Sequence, residues 1–125
     1  MRSPILKQHN VLIASVQGEL TDAELVQLRD DLVEKVRRYR STGVIIDVTL
    51  LDVMDSYAAR TLRGITQVTR LLGATAVVAG IQSEVAFAMA QLGLTLSGTT
   101  TVLDLEEALT VLAERERRGR SHDGR

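Results

Sequence analysis

Cysteine is missing from the 125 residues. Its absence excludes a disulfide framework, a thiolate metal site and thiol catalysis together. Proline occurs once, as Pro4, ahead of every long helix or strand the spacing predicts, so none of them is broken by a fixed φ. The aromatic side chains are Tyr39, Tyr57 and Phe87, too few for a platform on which bases or sugar rings could stack. Charge of one sign is missing too. Lys and Arg number 15 against 16 Asp and Glu, and a formal charge of -1 creates no global field toward nucleic acid or anionic lipid. No apolar run reaches membrane-spanning length. Lys7, Gln8, His9 and Asn10 interrupt the opening apolar residues before a secretory core forms. These absences lead to the expectation of a cytoplasmic protein, with no nucleic acid and no membrane among its partners.

What is present is a 45% hydrophobic content, enough for a chain of this length to bury the core of one domain. "VLIASVQG" is too short for a helix and rich in branched residues, so it reads as a buried strand, paired through "KQHN" with a strand around Ile5 and Leu6. Thr21 stands three residues before Glu24, the capping-box spacing. The helix it starts repeats Leu25, Leu28, Leu32 and Val36 at helical steps, with Gly43 placed to end it. "GVIIDV" is apolar without alternation, as a strand covered on both faces would be. A second helix ends at Gly73, a third buried strand follows in "ATAVVAG", then a short helix in "SEVAFAMAQLG" and a Thr-rich link with room for an edge strand. Asp104 and Glu107 cap a last helix whose Leu105, Ala108, Leu109 and Leu112 share a face. The ending "ERERRGRSHDGR" is charged and without periodicity, which reads as a solvated tail. The expectation is one α/β domain over residues 1–113, a small sheet with helices packed against it, followed by a charged flexible tail over 114–125.

The second of these helices opens in an unusual way. In "DVMDSYAARTLRGITQVTR", Ala58, Leu62, Ile65, Val68 and Leu72 form the apolar stripe. Stepping from Ser56 by fours and threes reaches Arg60, Arg63, Gln67 and Arg70, so the serine belongs to the polar, accessible face. Asp55 and Ser56 are both favoured N-cap residues, and capping is the plainer reading of the pair. The other reading is a phosphoacceptor. A phosphate at Ser56 would meet free amides and the positive end of a helix dipole, would bring about -1.5 to -2 charges beside Asp52 and Asp55, and would lie within a turn of Arg60. Catalysis by Ser56 itself has little support: "DSY" lacks the glycines of a hydrolase elbow, and neither His9 nor His122 has a reason to be near it.

Asp47, Asp52 and Asp55 cluster near a strand end, where oxygen ligands could hold a hard cation or a receiver could keep its carboxylates. Turn and cap roles are the commoner use of such aspartates. Lys7 and Lys35, the two lysines, are not at a late strand end where a receiver needs one. Gly64, Gly73, Gly80 and Gly93 match no phosphate-cradling loop. Leu71, Leu72, Phe87 and Met89 read mostly as core.

"GVIIDVTLLDVMDSYAARTL" resembles the signature of STAS domains, the fold of sulfate transporters and anti-sigma-factor antagonists, in which a strand leads to an Asp-Ser pair at a helix start. The resemblance runs from "ILKQHNVLIASVQGEL" through "LLGATAVVAGIQSEVAFAMAQLG" to "TVLDLEEAL" and, within the family, is greatest to the RsbS-type scaffold of the bacterial stressosome. It implies a STAS fold, a mixed central sheet with about four helices. It also implies a non-enzymatic scaffold without cofactor or metal, whose Ser56 is phosphorylated by an RsbT-type serine/threonine kinase, in a phosphosite environment of Asp52, Asp55, Tyr57 and Arg60. The implied partners are that kinase, an RsbR-type STAS paralogue, a phosphatase that resets Ser56, and further copies in a homo-oligomer and a large hetero-assembly. The kinase is sequestered until phosphorylation releases it. The alternative within the fold is an antagonist that binds a single anti-sigma kinase. Tyr57, where many sporulation-type antagonists carry a second serine followed by glycine, speaks against that mode.

Overall fold

The three apolar stretches of the sequence become the inner strands of one sheet in the computed structural model, which describes residues 4–123. The element order is β1 (Ile5–Gln8), β2 (Val11–Gly18), α1 (Asp22–Tyr39), β3 (Gly43–Leu51), α2 (Ser56–Leu71), β4 (Thr75–Ala79), α3 (Ser83–Gln91), β5 (Thr100–Val102) and α4 (Leu105–Asp123). The sheet has five strands in the order β1-β2-β3-β4-β5. β1 pairs antiparallel with β2 as the expected hairpin, and the other neighbours pair in parallel. Parallel neighbours need crossovers, which α1, α2 and α3 supply. β5 is the short edge strand of the Thr-rich link.

Alternation along the strands separates two cores. Leu12, Ala14, Val16, Val44, Ile46, Val48, Ala76 and Val78 meet Leu25, Leu28 and Leu32 of α1, Leu62 and Ile65 of α2, and Val85 and Met89 of α3. Ile13, Ile45, Val77 and Ala79 point the other way, onto Ala108 and Leu112 of α4. The absence of alternation in "GVIIDV" follows from this: both faces of β3 are covered, and Ile45 and Ile46 are each fully buried on opposite sides.

The helix starts follow the sequence closely. Thr21 Oγ1 accepts from the Glu24 amide at 3.1 Å and the Thr21 amide donates to Glu24 Oε1 at 3.0 Å, the reciprocal capping box. That second bond holds the Glu24 carboxyl below its ordinary value. Asp104 Oδ1 accepts from the Glu107 amide at 2.8 Å.

Three expectations are corrected. First, α1 ends at Arg40, in the left-handed region at φ 51°, and Gly43 opens β3 instead. Gly43 is there for space: a Cβ would stand 2.9 Å from Leu112 Cδ1, where α4 lies against the sheet. Second, the buried stripe of α2 is Ala58, Ala59, Leu62, Ile65, Thr66 and Thr69, with Val68 half-buried and Leu72 exposed. The threonines are buried at little cost because the helix satisfies them: Thr66 Oγ1 donates to the Arg63 carbonyl, and Thr69 Oγ1 to those of Ile65 and Thr66. Leu71 and Phe87 are exposed, and of the four residues read as core Met89 alone is buried. Third, the charged ending continues α4 as far as Asp123. Its Glu and Arg residues are good helix formers, and Glu114 and Arg117 pair at 4.0 Å one turn apart.

Ile46→Ala is expected to lower stability by about 2–5 kcal/mol, the usual cost of a buried large-to-small change. Leu71→Ala, at a position 86% exposed, is expected to stay within about 0.5 kcal/mol. Urea unfolding of both variants beside the wild type checks the pair.

Candidate functional site

β2, β3 and β4 run in parallel, so their last residues, Gly18, Leu51 and Ala79, lie toward the same end of the sheet. From the central one, Asp52 to Asp55 leads into α2. The strand ends on either side hold this connection. On one side the Asp52 amide donates to the Gly18 carbonyl at 3.1 Å. On the other, Gln82 Nε2 donates to the carbonyls of Thr49 at 2.7 Å and Leu51 at 3.1 Å. Met54, 4% exposed, anchors the middle of the loop in the core.

Asp55 and Ser56 divide the work that the sequence left undivided. Asp55 is the N-cap, with extended backbone and Oδ1 accepting from the Ala58 amide at 2.7 Å. Ser56 is the first helical residue, and its side chain is exposed. Among the described residues its hydroxyl has no hydrogen-bond partner. The cap is therefore complete without Ser56, whose oxygen takes no part in it.

The surroundings are those of a surface and not of a pocket. Asp52, Val53 and Arg60 are exposed, and Tyr57 is half-buried against the core. Asp55 and Glu19 line a cavity of about 50 Å³ together with Val16, Leu25, Leu51, Ala58 and Leu62. Pockets for small molecules run from roughly 300 Å³ upward, so it has no room for a nucleotide. His9 precedes β2, at the opposite end of the parallel strands from Ser56. It is in no position to act as a base.

The three aspartates do not form one site. Asp47 Oδ1 accepts from the Thr49 hydroxyl at 2.6 Å and the Thr49 amide at 3.0 Å, and the Asp55 carboxylate is occupied at the cap. Among the described residues no group of three or more His, Cys, Asp or Glu side chains is placed to hold a metal ion. Of the polar face of α2, Arg60, Gln67 and Arg70 are exposed and Arg63 is half-buried. Arg70 Nη2 donates to the Gly98 carbonyl at 2.8 Å.

Residues 80–82 were legible as "GIQ" but not as part of the site. Gly80 has φ +83°, and a Cβ there would collide with the Thr49 hydroxyl. A glycine two residues before a polar amide, at a strand end, was the available signal.

A family model described as the STAS domain matches residues 3–108. The chain belongs to the STAS domain family. A serine-to-glutamate variant of RsbS from Moorella thermoacetica is 31% identical, with a TM-score of 0.79, and the match covers 94% of this chain and 99% of that one. A chain from a structure of the stressosome, described as a signal integration and transduction hub, is 29% identical with a TM-score of 0.73, over 91% of this chain and 99% of that one. Among curated relatives, the RsbT co-antagonist protein RsbRA of Bacillus subtilis is 28% identical over 105 residues, 84% of this chain. The chain spans 38% of the length of that relative. The mixed five-stranded sheet with four helices is thus a stressosome-like STAS fold. No helix among the described residues is long and apolar enough to cross a membrane.

Asp55→Ala is expected to cost about 1 kcal/mol of stability through the lost cap, while Asp55→Asn stays within a few tenths. Thermal or urea unfolding distinguishes this from a solvent-facing Asp52→Ala, which is expected to change nothing measurable.

Proposed function

We propose that this STAS domain is a non-enzymatic cytoplasmic signalling scaffold of the RsbS type, whose Ser56 accepts a phosphoryl group from an RsbT-type serine/threonine kinase. The observation that carries the reading is the exposed Ser56 hydroxyl, unbonded to any described residue, at a helix start already capped by Asp55. A capping serine would be withdrawn into its own backbone; this one is spared that role. The similarity to RsbS of Moorella thermoacetica over nearly the whole of both chains supports the same reading.

In the proposed reaction the kinase holds ATP, and the Ser56 oxygen attacks the γ-phosphorus as the bond to ADP breaks. The hydroxyl proton leaves to a base of the kinase, since among the described residues the Ser56 hydroxyl is hydrogen-bonded to no carboxylate or imidazole. The new phosphate adds about -1.5 to -2 charges at the mouth of α2. Free amides in the first turn and the dipole of a sixteen-residue helix favour it. Asp52 and Asp55 repel it, and Arg60 stands one turn on along the same face. The two cores are untouched, so the charge of the surface changes while the fold stays. A kinase bound to the unmodified surface is released on this account, and a phosphatase restores the hydroxyl. An RsbR-type paralogue is the proposed partner in a large assembly.

Incubation with an RsbT-type kinase and Mg²⁺-ATP, followed by intact and peptide mass spectrometry, is expected to place one phosphate on Ser56 and none on Ser56→Ala. An unmodified wild type, or equal modification of Ser56→Ala, overturns the assignment. Light scattering after mixing with an RsbR-type paralogue is expected to find particles of megadalton scale. A small one-to-one complex with a kinase and no large particle would instead favour the antagonist that binds a single anti-sigma kinase.

A further inference from the structure

The phosphoacceptor loop is attached to the sheet by a side chain that no reading of Ser56 itself requires. Gln82, between β4 and α3, spends both of its amide bonds on the end of β3, at the carbonyls of Thr49 and Leu51. It does not cap its own helix: α3 starts at Ser83 with no side-chain bond to its first amides. Around it, each contact narrows the position of β3. Thr49 is fixed from the other side, its hydroxyl and amide both donating to Asp47 Oδ1. Gly80 lets the β4 end approach so closely that any side chain there would strike Thr49. Its own amide donates to the Val102 carbonyl at 3.1 Å, tying the same turn to β5.

We propose that Gln82 is the positioning residue of the Ser56 site: its amide clamps the end of β3 so that the short connection to α2 presents the Ser56 hydroxyl in one geometry. The proposal rests on Ser56 being the phosphoacceptor. Its physical basis is the length of the connection. Four residues separate Leu51 from Ser56, so freedom gained at the strand end reaches the hydroxyl with little slack to absorb it. Met54 and the Asp55 cap hold the far end of the loop, and the Asp52 amide holds its β2 side. Beyond the last β3–β4 pair, Asp47 and Ala79, the hydrogen bonds to this strand end from the β4 side are those of Gln82. A phosphoryl acceptor must be held within a fraction of an ångström of its line of attack, and the clamp supplies that order before the kinase arrives.

Two variants test this. Gln82→Met keeps the length and removes the donors; Gln82→Glu keeps the shape and replaces the donors with acceptors facing two carbonyl oxygens. Both are expected to fold, because Gln82 lies outside both buried cores. Hydrogen exchange is expected to quicken by about tenfold in residues 49–57 and to stay unchanged in α1, the loss of two ordinary hydrogen bonds being worth roughly that factor. With an RsbT-type kinase and Mg²⁺-ATP, kcat for transfer to Ser56 is expected to fall by about tenfold in both variants, with KM moving less than about twofold. A residue that merely fills space would leave the Glu variant at wild-type kcat. Unchanged exchange in residues 49–57, or unchanged kcat in a wild type that is phosphorylated on Ser56, overturns the clamp. A wild type that takes no phosphate overturns the phosphoacceptor reading instead, and the exchange comparison then decides the clamp by itself.

Discussion

Burial of β3 on both faces is the constraint on which the remaining structure depends. Ile46 and its neighbours Val44 and Val48 hold α1, α2 and α3 to one side, and Ile45 helps hold α4 to the other. Each fully buried aliphatic side chain contributes roughly 1.5–3 kcal/mol relative to exposure. A one-residue slip in register would exchange these two sets between cores whose packing partners differ, so the position of the strand is specified by packing on both sides. Whatever follows its end inherits that specification. The residues that follow are Asp52 to Ser56, which is how a core made of aliphatic side chains comes to define the place of a surface hydroxyl.

At that surface, two functions that one residue could combine are separated between adjacent ones. Asp55 satisfies the helix and Ser56 does not take part. The consequence for a regulatory module is that the hydroxyl can be esterified without withdrawing a cap. On the proposed reading the change in charge acts on whatever touches the surface, since Ser56 lies outside the two hydrophobic cores. A nearby pocket would work against such a design by shielding the hydroxyl from a macromolecular partner. The small cavity at Asp55 does not do so.

Much of this was legible in the sequence because it depends on neighbours in the chain. The Thr21–Glu24 box, the Asp104 cap, the hairpin of β1 and β2 and the polar side of α2 around Ser56 all follow from spacings of two, three or four residues. The misreadings share a different origin. Gly43 looked like a helix terminator and is a clearance for Leu112, which lies far along the chain. Thr66 and Thr69 stand outside the apolar stripe that the spacing gave and are nonetheless buried, with their hydroxyls returned to the carbonyls of their own helix. Leu72 and Phe87 looked like core and face outward, since hydrophobicity does not say which side a neighbouring element occupies.

By itself, the sequence determined an α/β domain, the places where its helices begin, and an accessible serine beside an aspartate at the second of them. Those are local matters, governed by backbone amides and side chains within a turn of one another. Only the tertiary structure decided which of Asp55 and Ser56 is the cap, separated Asp47 from the other two aspartates, and brought Gln82 across from β4 to the end of β3. The reason is that Gln82 and Leu51 are 31 residues apart. Their meeting is set by the parallel register of two strands, and no periodicity in the chain records it.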